Sequence, residues 1–208
     1  MPTSTFKIAV LVSGRGTNLQ SILDQVESGS LPVEVALIIS NKKNAQALER
    51  GRKAGIPSKF INPKDYPDRD AYDAVLVKLL QAENVDLICL AGYMRILTSK
   101  FIQAFSGKII NIHPSLLPSF PGLDVQQQAI DHGVKYSGCT VHFVDEEVDT
   151  GPIILQAVVP VKEQDTAETL SARILKEEHK IYPEAVRLIA ENRICVEGRR
   201  VSIQEPSL

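Results

Sequence analysis

The 208-residue sequence lacks several features that would assign it to a specialised class of protein. It has no tryptophan, only two methionines and only three cysteines. Cys89, Cys139 and Cys195 are odd in number and widely spaced, which excludes a disulfide framework and a zinc ribbon. They are typical of small buried hydrophobic residues in a reducing compartment. We therefore expect a cytoplasmic protein.

Long apolar runs and basic blocks are also missing. No run reaches the roughly 18 apolar residues that a membrane span requires, and Ile8–Val12 is too short for the core of a signal peptide. The 23 Lys and Arg residues and 25 Asp and Glu residues give a net charge of −2, which argues against a nucleic-acid surface. We expect small-molecule partners, no nucleic acid and no membrane. The sequence leaves open whether the chain is a monomer or a homodimer.

Two kinds of hydrophobic pattern alternate along the first half of the chain. Helical spacing of apolar residues, as in Leu19, Ile22, Leu23 and Val26, predicts helices between short apolar runs that predict strands. A second helix is predicted at Ala45–Ala54, closed by Gly55 and Pro57. Buried strands separated by helices are typical of a doubly wound, mostly parallel α/β sheet. The predicted strands are Ile8–Val12, Val33–Ile39, Lys59–Ile61, Val85–Ala91 and Lys108–Ile112.

The rhythm changes after about residue 123. A helix at Val125–His132 precedes two consecutive strands, Cys139–Val144 and Ile153–Val161, so at least one strand should join the sheet antiparallel. A long helix begins near Asp165, and Pro183 should kink or divide it. A small hairpin, Ile194–Val196 with Arg200–Ile203, follows. No linker or repeat is visible, so residues 1–208 are expected to form one domain.

Ser13–Leu19 joins a predicted strand to a predicted helix and contains two glycines. Glycines let a backbone approach a ligand closely, and a helix start offers free N–H groups to a phosphate. The loop is not a P-loop, because no Gly-Lys-Ser/Thr follows. It is also a poor dinucleotide fingerprint, because Leu19 replaces the third glycine. It favours a phosphate monoester, although a plain strand–helix turn remains the alternative.

Asn111 and His113 lie at the carboxyl end of the predicted strand Lys108–Ile112. Residues two apart in a strand point to the same face, and ligands of α/β sheets bind at the carboxyl ends of the strands. The pair is therefore a candidate for catalysis, against the alternative of a structural histidine. Pro114 and Pro118 stiffen the loop that follows, and a tight reversal there could require a cis bond before Pro118.

Asp145–Pro152 carries four carboxylates. Such loops are usually only solvated charge, but one acid that reached His113 would orient it and favour its charged form. His142 is interpreted as a packed or edge histidine of a strand, and His132 as a structural residue at a helix end. No set of histidines, cysteines and acids has metal-ligand spacing, so we expect no metal. With no supported nucleophile, the polar set suits an acyl-type transfer or a lyase acting on a phosphate-bearing substrate.

Several segments, in this order, resemble the phosphoribosylglycinamide formyltransferases, the folate-dependent enzymes of purine biosynthesis. The resemblance covers about residues 8–196, nearly the whole chain. The Asn-x-His segment is shared by folate formyltransferases and hydrolases, whereas the first and last segments point to the glycinamide ribonucleotide enzymes. The segments are Ser13–Leu19, Ala91–Leu97, Asn111–Pro118, Asp149–Pro152 and Glu178–Pro183.

The resemblance implies a Rossmann-like formyltransferase fold and transfer of the formyl group of 10-formyltetrahydrofolate, the co-substrate, to the amine of glycinamide ribonucleotide. It implies that the N-terminal half of the chain binds the nucleotide phosphate. It implies that the C-terminal half binds the folate and carries out catalysis. The implied catalytic residues are Asn111, His113 and Asp149. The implied nucleotide-binding residues are Gly16, Thr17, Asn18 and Glu178. The implied folate-binding residues are Arg69, Met94, Arg95, Ile96, Leu97, Asn111 and Val144.

The segment after Gly122 departs from the resemblance, because Asp124–Gln128 stands where such enzymes often carry a histidine. No binding role is assigned there. Two related activities remain as alternatives, transfer of formyl to methionyl-tRNA and hydrolysis of formyltetrahydrofolate. A methionyl-tRNA formyltransferase is expected to carry an extra C-terminal domain and a basic surface, and a hydrolase an extra N-terminal domain. The sequence pattern predicts neither feature, so both alternatives are disfavoured. A non-catalytic nucleotide-binding module is the alternative of another class.

Overall fold

The long apolar runs in the first half of the chain form strands whose side chains are mostly buried. In this computed structural model, which describes residues 5–205, Ile8 to Val12 are fully buried. The elements of this half are β1 (Phe6–Val12), α1 (Thr17–Glu27), β2 (Val33–Ser40), α2 (Gln46–Lys53), β3 (Ser58–Phe60), α3 (Arg69–Ala82), β4 (Leu87–Leu90) and α4 (Ser99–Ala104), with a short 3-10 turn at Pro63–Asp65.

The second half supplies the remaining elements. These are β5 (Ile109–His113), α5 (Val125–Asp131), β6 (Tyr136–Phe143), β7 (Ile153–Pro160), α6 (Ala167–Ala190), β8 (Ile194–Glu197) and β9 (Arg200–Ile203). The chain divides between Ile110 and Asn111 into two compact units. The single domain predicted for residues 1–208 stays a prediction.

The main sheet has the strand order β3-β2-β1-β4-β5-β6-β7. β1 pairs in parallel with β2 and with β4, and β2 pairs in parallel with β3. β6 and β7 pair antiparallel, and β8 and β9 form a separate two-stranded hairpin. The predicted doubly wound, mostly parallel sheet with a late antiparallel strand, a C-terminal helix and a hairpin is confirmed. An order that runs outward from β1 in both directions is that of doubly wound folds.

Three details differ from the sequence-based expectation or extend it. α6 continues through Pro183, so the helix is not divided. The short helix α4, which Thr98 caps by accepting the N–H of Phe101, was not predicted. The Leu117–Pro118 peptide bond is cis, as the tight reversal between the two prolines suggested.

Candidate active site

β5 positions the first two candidate catalytic side chains. Asn111 and His113 are two residues apart on this strand, so their side chains leave the same face. His113 is 4% exposed and Asn111 is half-buried. The His113 ring is held by its Nε2, which lies 2.9 Å from the carbonyl oxygen of Phe120. A buried, oriented imidazole therefore stands at the carboxyl end of the strand.

One carboxylate of the acidic loop reaches His113. Asp149 Oδ2 lies 3.3 Å from His113 Nδ1 and accepts the N–H of Gly122 at 2.9 Å. Asp149 has a φ of +57°, a left-handed conformation that aspartate tolerates better than most residues. The other acids are engaged elsewhere or exposed. Asp145 accepts the hydroxyl of Thr150 at 2.7 Å, and Glu147 is exposed.

His142, on β6, belongs to the same cluster, and the sequence interpretation as a packed histidine missed this. Its Nδ1 lies 2.8 Å from the carbonyl oxygen of Phe143, and its Nε2 lies 3.3 Å from Asn111 Nδ2 and 3.7 Å from Asp149 Oδ1. A carbonyl only accepts, so Nδ1 is the nitrogen that donates to Phe143. Nε2 faces both the Asn111 amide nitrogen and the Asp149 carboxylate, so His142 links these two side chains. The only sequence signal was a polar residue inside an apolar strand.

The protonation of His113 is a balance of opposing effects. Its Nε2 and its Nδ1 both face acceptors, the Phe120 carbonyl and the Asp149 carboxylate, so only the imidazolium satisfies both. Burial opposes the charged form more strongly, and it lowers the pKa of His113 below the ordinary value although Phe120 and Asp149 raise it. Asp149 therefore favours the charged form of His113, as expected, but it does not outweigh burial. The ring releases a proton more readily than an ordinary histidine does.

Asp149 is ionised in this arrangement. Burial would raise its pKa, but the neighbouring His142, the N–H of Gly122 and the charge of His113 lower it more. The pKa of Asp149 therefore lies below the usual carboxyl value. The cluster of Asn111, His113, His142 and Asp149, here called the polar cluster, combines an amide donor, two imidazoles and one carboxylate. Such a set can stabilise an oxyanion and move protons.

The loop predicted to bind phosphate lies at the start of α1. Gly16 has a φ of +69°, and a Cβ added to it would lie 2.5 Å from the Cβ of Ala47, so the position requires glycine. No side chain caps the helix that begins at Thr17, whose first N–H groups carry the positive end of the helix dipole. Asn18 is 9% exposed. The loop therefore has the close backbone and the uncapped helix start that a phosphate site needs.

The segment Met94–Leu97, which follows β4, has both exposed and buried members. Met94 and Ile96 are 65% and 61% exposed, unusually high values for large apolar side chains, whereas Leu97 is buried. The Arg95 guanidinium lies 4.7 Å from the centre of the Tyr72 ring, and its buried Nε has no hydrogen-bond partner among the described residues. Exposed apolar side chains beside a held cation suit a ligand with an apolar ring system and an anionic end.

The other predicted binding residues lie on two helices and directly after a strand. Arg69 is exposed and is the first residue of α3, and Val144 directly follows β6 and is half-buried. Glu178 is 6% exposed on α6. Burial and then the charge of Glu178 raise the pKa of Cys139 to about 12. That thiol is therefore inert, in agreement with the absence of a supported nucleophile.

Among residues 5–205, no group of three or more histidines, cysteines and acids is arranged to hold a metal ion. In the same range, none of the helices combines the length and the apolar character needed to cross a membrane.

Comparisons with known proteins place these features in a family. The Formyl transferase family matches residues 6–186. Phosphoribosylglycinamide formyltransferase of Haemophilus influenzae is 49% identical over 188 residues, which are 90% of this chain and 89% of that protein. The trifunctional purine biosynthetic protein adenosine-3 of Drosophila pseudoobscura pseudoobscura is 50% identical over 198 residues, which are 94% of this chain. The chain spans only 14% of the length of that relative.

A solved structure agrees with the sequence comparisons. Glycinamide ribonucleotide transformylase 1 of Symbiobacterium toebii superposes with a TM-score of 0.95 at 57% identity, and the match covers 97% of this chain and 95% of that one. The resemblance found in the sequence motifs is confirmed. The chain belongs to the formyl transferase family.

Proposed function

We propose that this protein is a phosphoribosylglycinamide formyltransferase of de novo purine biosynthesis. It transfers the formyl group of 10-formyltetrahydrofolate to the amine of N1-(5-phosphoribosyl)glycinamide and releases the N-formyl product and tetrahydrofolate. The polar cluster carries the proposal, because a family of formyl transferases needs an oxyanion donor and a proton carrier at one place. The similarity to named glycinamide ribonucleotide enzymes supports the choice of acceptor.

The substrates would bind at the two candidate loops. Gly16, Thr17 and Asn18 would hold the phosphate through backbone N–H groups, and Glu178 would contact the ribose or glycinamide end. The folate would be held by Arg69, by Met94–Leu97 and by Val144, with Asn111 beside the formyl group. The cation of Arg95 over Tyr72 supports an anionic group on this ligand, such as the carboxylates of a folate.

The chemistry follows from the state of the polar cluster. The substrate amine attacks the formyl carbon, and the carbonyl oxygen gains negative charge that the Asn111 amide and a protonated His113 stabilise. The lowered pKa of His113 favours release of its proton to the departing folate nitrogen. The ionised Asp149, 3.3 Å from His113 Nδ1, orients the ring and relays the proton that the amine loses.

A coupled deformylation experiment tests the proposal. The protein is mixed with 10-formyl-dideazafolate with and without glycinamide ribonucleotide, and loss of the formyl group is followed by absorbance. We expect formyl loss only with the nucleotide. Formyl loss at the same rate without the nucleotide would assign the chain to the formyltetrahydrofolate hydrolases. No formyl loss in either mixture would favour a non-catalytic nucleotide-binding module.

The remaining properties belong to the same proposal. We infer a cytoplasmic enzyme with small-molecule substrates, no nucleic-acid or membrane partner and no metal. The free thiols of Cys89, Cys139 and Cys195 support a reducing compartment. Light scattering on the purified chain distinguishes the two oligomeric states left open, a monomer and a homodimer.

A further inference from the structure

The carboxyl ends of three neighbouring parallel strands meet within the first compact unit. β1 lies between β2 and β4, with Val12 opposite Ser40 and Leu11 opposite Leu90. The next residues along β1 and β2 are Ser13 and Asn41, and the segment that follows β4 includes Met94. Because the strands are in register, these three residues lie at one edge of the sheet.

Ser13 joins the other two residues through a single hydroxyl group. Its Oγ donates to Asn41 Oδ1 at 2.6 Å and accepts the backbone N–H of Met94 at 2.8 Å. The backbone N–H of Ser13 donates to the carbonyl oxygen of Gly92 at 3.1 Å. One residue therefore holds the segment after β4 at two points, and the buried Asn41 fixes the hydroxyl orientation.

The same residue begins the loop predicted to bind the nucleotide phosphate. Ser13 directly precedes Gly14, whose carbonyl oxygen accepts the N–H of Ala47 at 3.3 Å. Gly16, two residues further on, packs against the same alanine so closely that no Cβ fits. The loop is thus fixed on one side by the start of α2 and on the other by the Ser13 hydroxyl.

We propose that Ser13 is a positioning residue that ties the nucleotide loop to the folate segment Met94–Leu97. The inference depends on the proposed function, because it takes these two segments as the substrate sites. A serine that served only its own loop would affect nucleotide binding alone. A serine that also holds the Met94 backbone sets the position of the folate segment. Loss of its hydroxyl therefore weakens the binding of both substrates.

Steady-state kinetics with both substrates varied test this role in the full-length protein. Ser13→Ala should raise the KM for the formyl-folate by roughly fivefold, the scale of one lost hydrogen bond, and should also raise the KM for the nucleotide. The matched control is Ser58→Ala, because Ser58 Oγ donates only to the nearby Ile56 carbonyl at 2.9 Å. Both KM values should stay near wild type in that control.

Conservative variants separate positioning from general stability. Ser13→Thr keeps the hydroxyl and should recover most of the folate KM. If Ser13→Ala does not fold, Ser13→Cys, a weaker donor and acceptor, should show the same rise in both KM values. An unchanged folate KM in the folded variant, an equal loss in Ser58→Ala or no recovery in Ser13→Thr would overturn the inference. Failure of the proposed function is recognised separately, because the wild-type protein would then show no nucleotide-dependent transfer.

Discussion

Removing the charge of Asp149 tests the chemistry of the polar cluster. Asp149→Asn keeps the shape of the side chain, and its remaining oxygen can still accept the N–H of Gly122, which lies 2.9 Å from Asp149 Oδ2 in the wild type. What disappears is the negative charge 3.3 Å from His113 Nδ1. That charge partly offsets the burial that lowers the pKa of His113. Without it, the pKa of His113 should fall further.

The size of the effect follows from the distance. An opposite charge within about 4–6 Å commonly changes the protonated fraction of its partner by roughly ten- to a thousandfold. We expect kcat at neutral pH to fall by about the same range, with the histidine limb of the pH–rate profile moved to lower pH. The assay is kcat against pH with both substrates saturating. Asp149→Asn should also remain folded, as judged by circular dichroism.

Two neighbouring acids are the controls for this prediction. Asp145→Asn keeps an oxygen for the Thr150 hydroxyl, which Asp145 accepts at 2.7 Å in the wild type, and Glu147→Gln changes an exposed side chain. Both should retain near wild-type kcat. Comparable modest losses in all three variants would exclude Asp149 as a specific partner of His113, because they would indicate a general negative field.

Three further predictions concern other parts of the site. Asn111→Ala and His113→Ala should each lower kcat by about 10²–10³, or roughly 3–4 kcal/mol of transition-state stabilisation. The double variant should lose less than the product of the two single losses, because both side chains act on one oxyanion. A strictly multiplicative loss would contradict a shared oxyanion. Gly16→Ala should lower the Tm by about 4 °C or more, because it combines a left-handed φ with overlap on Ala47, and an unchanged Tm would contradict the loop geometry. The free energy of unfolding should decrease as the pH falls from 7 to 5, because the unfolded chain binds a proton at His113 more readily than the folded chain. Urea unfolding should show a smaller decrease in His113→Gln, and equal pH dependence would contradict the lowered pKa.

The Gly16 prediction also illustrates what a sequence pattern leaves out. From the sequence, a larger residue at Gly16 is expected to block only the approach of phosphate. The structure adds the packing of Gly16 on Ala47, 31 positions away, so substitutions there change stability as well as binding. Such a contact depends on how α1 and α2 pack, and no local pattern encodes it.

Most of the fold could be predicted because period and composition are local properties. Apolar runs predicted the strands around Val10 and Ile38. Gly198 between two short apolar segments predicted the late hairpin. Pro183 does not divide α6, whose buried face includes Ile174, Tyr182 and Val186 on both sides of the proline. Tertiary packing outweighed the local preference of one residue.

The candidate site could be predicted only in part, because some of its contacts depend on tertiary packing. Asn111, His113 and Asp149 were predicted from their place in the chain and from the family resemblance. His142 was not, because its proximity to Asn111 and Asp149 depends on the β6 position and on a left-handed turn at Asp149. The direction of the His113 pKa was also beyond the sequence, since it depends on how deeply the ring is buried.

Product analysis with an isotopic label tests whether the protein transfers formyl to the nucleotide. The protein is incubated with 10-formyltetrahydrofolate carrying ¹³C in the formyl group and with glycinamide ribonucleotide, and the products are identified by NMR and mass spectrometry. We expect the label in the N-formyl nucleotide, one for each tetrahydrofolate released, and we expect the double variant Asn111→Ala, His113→Ala to lose most of this transfer. Recovery of the label as free formate, or transfer that is unaffected in the double variant, would contradict formyl transfer by the polar cluster.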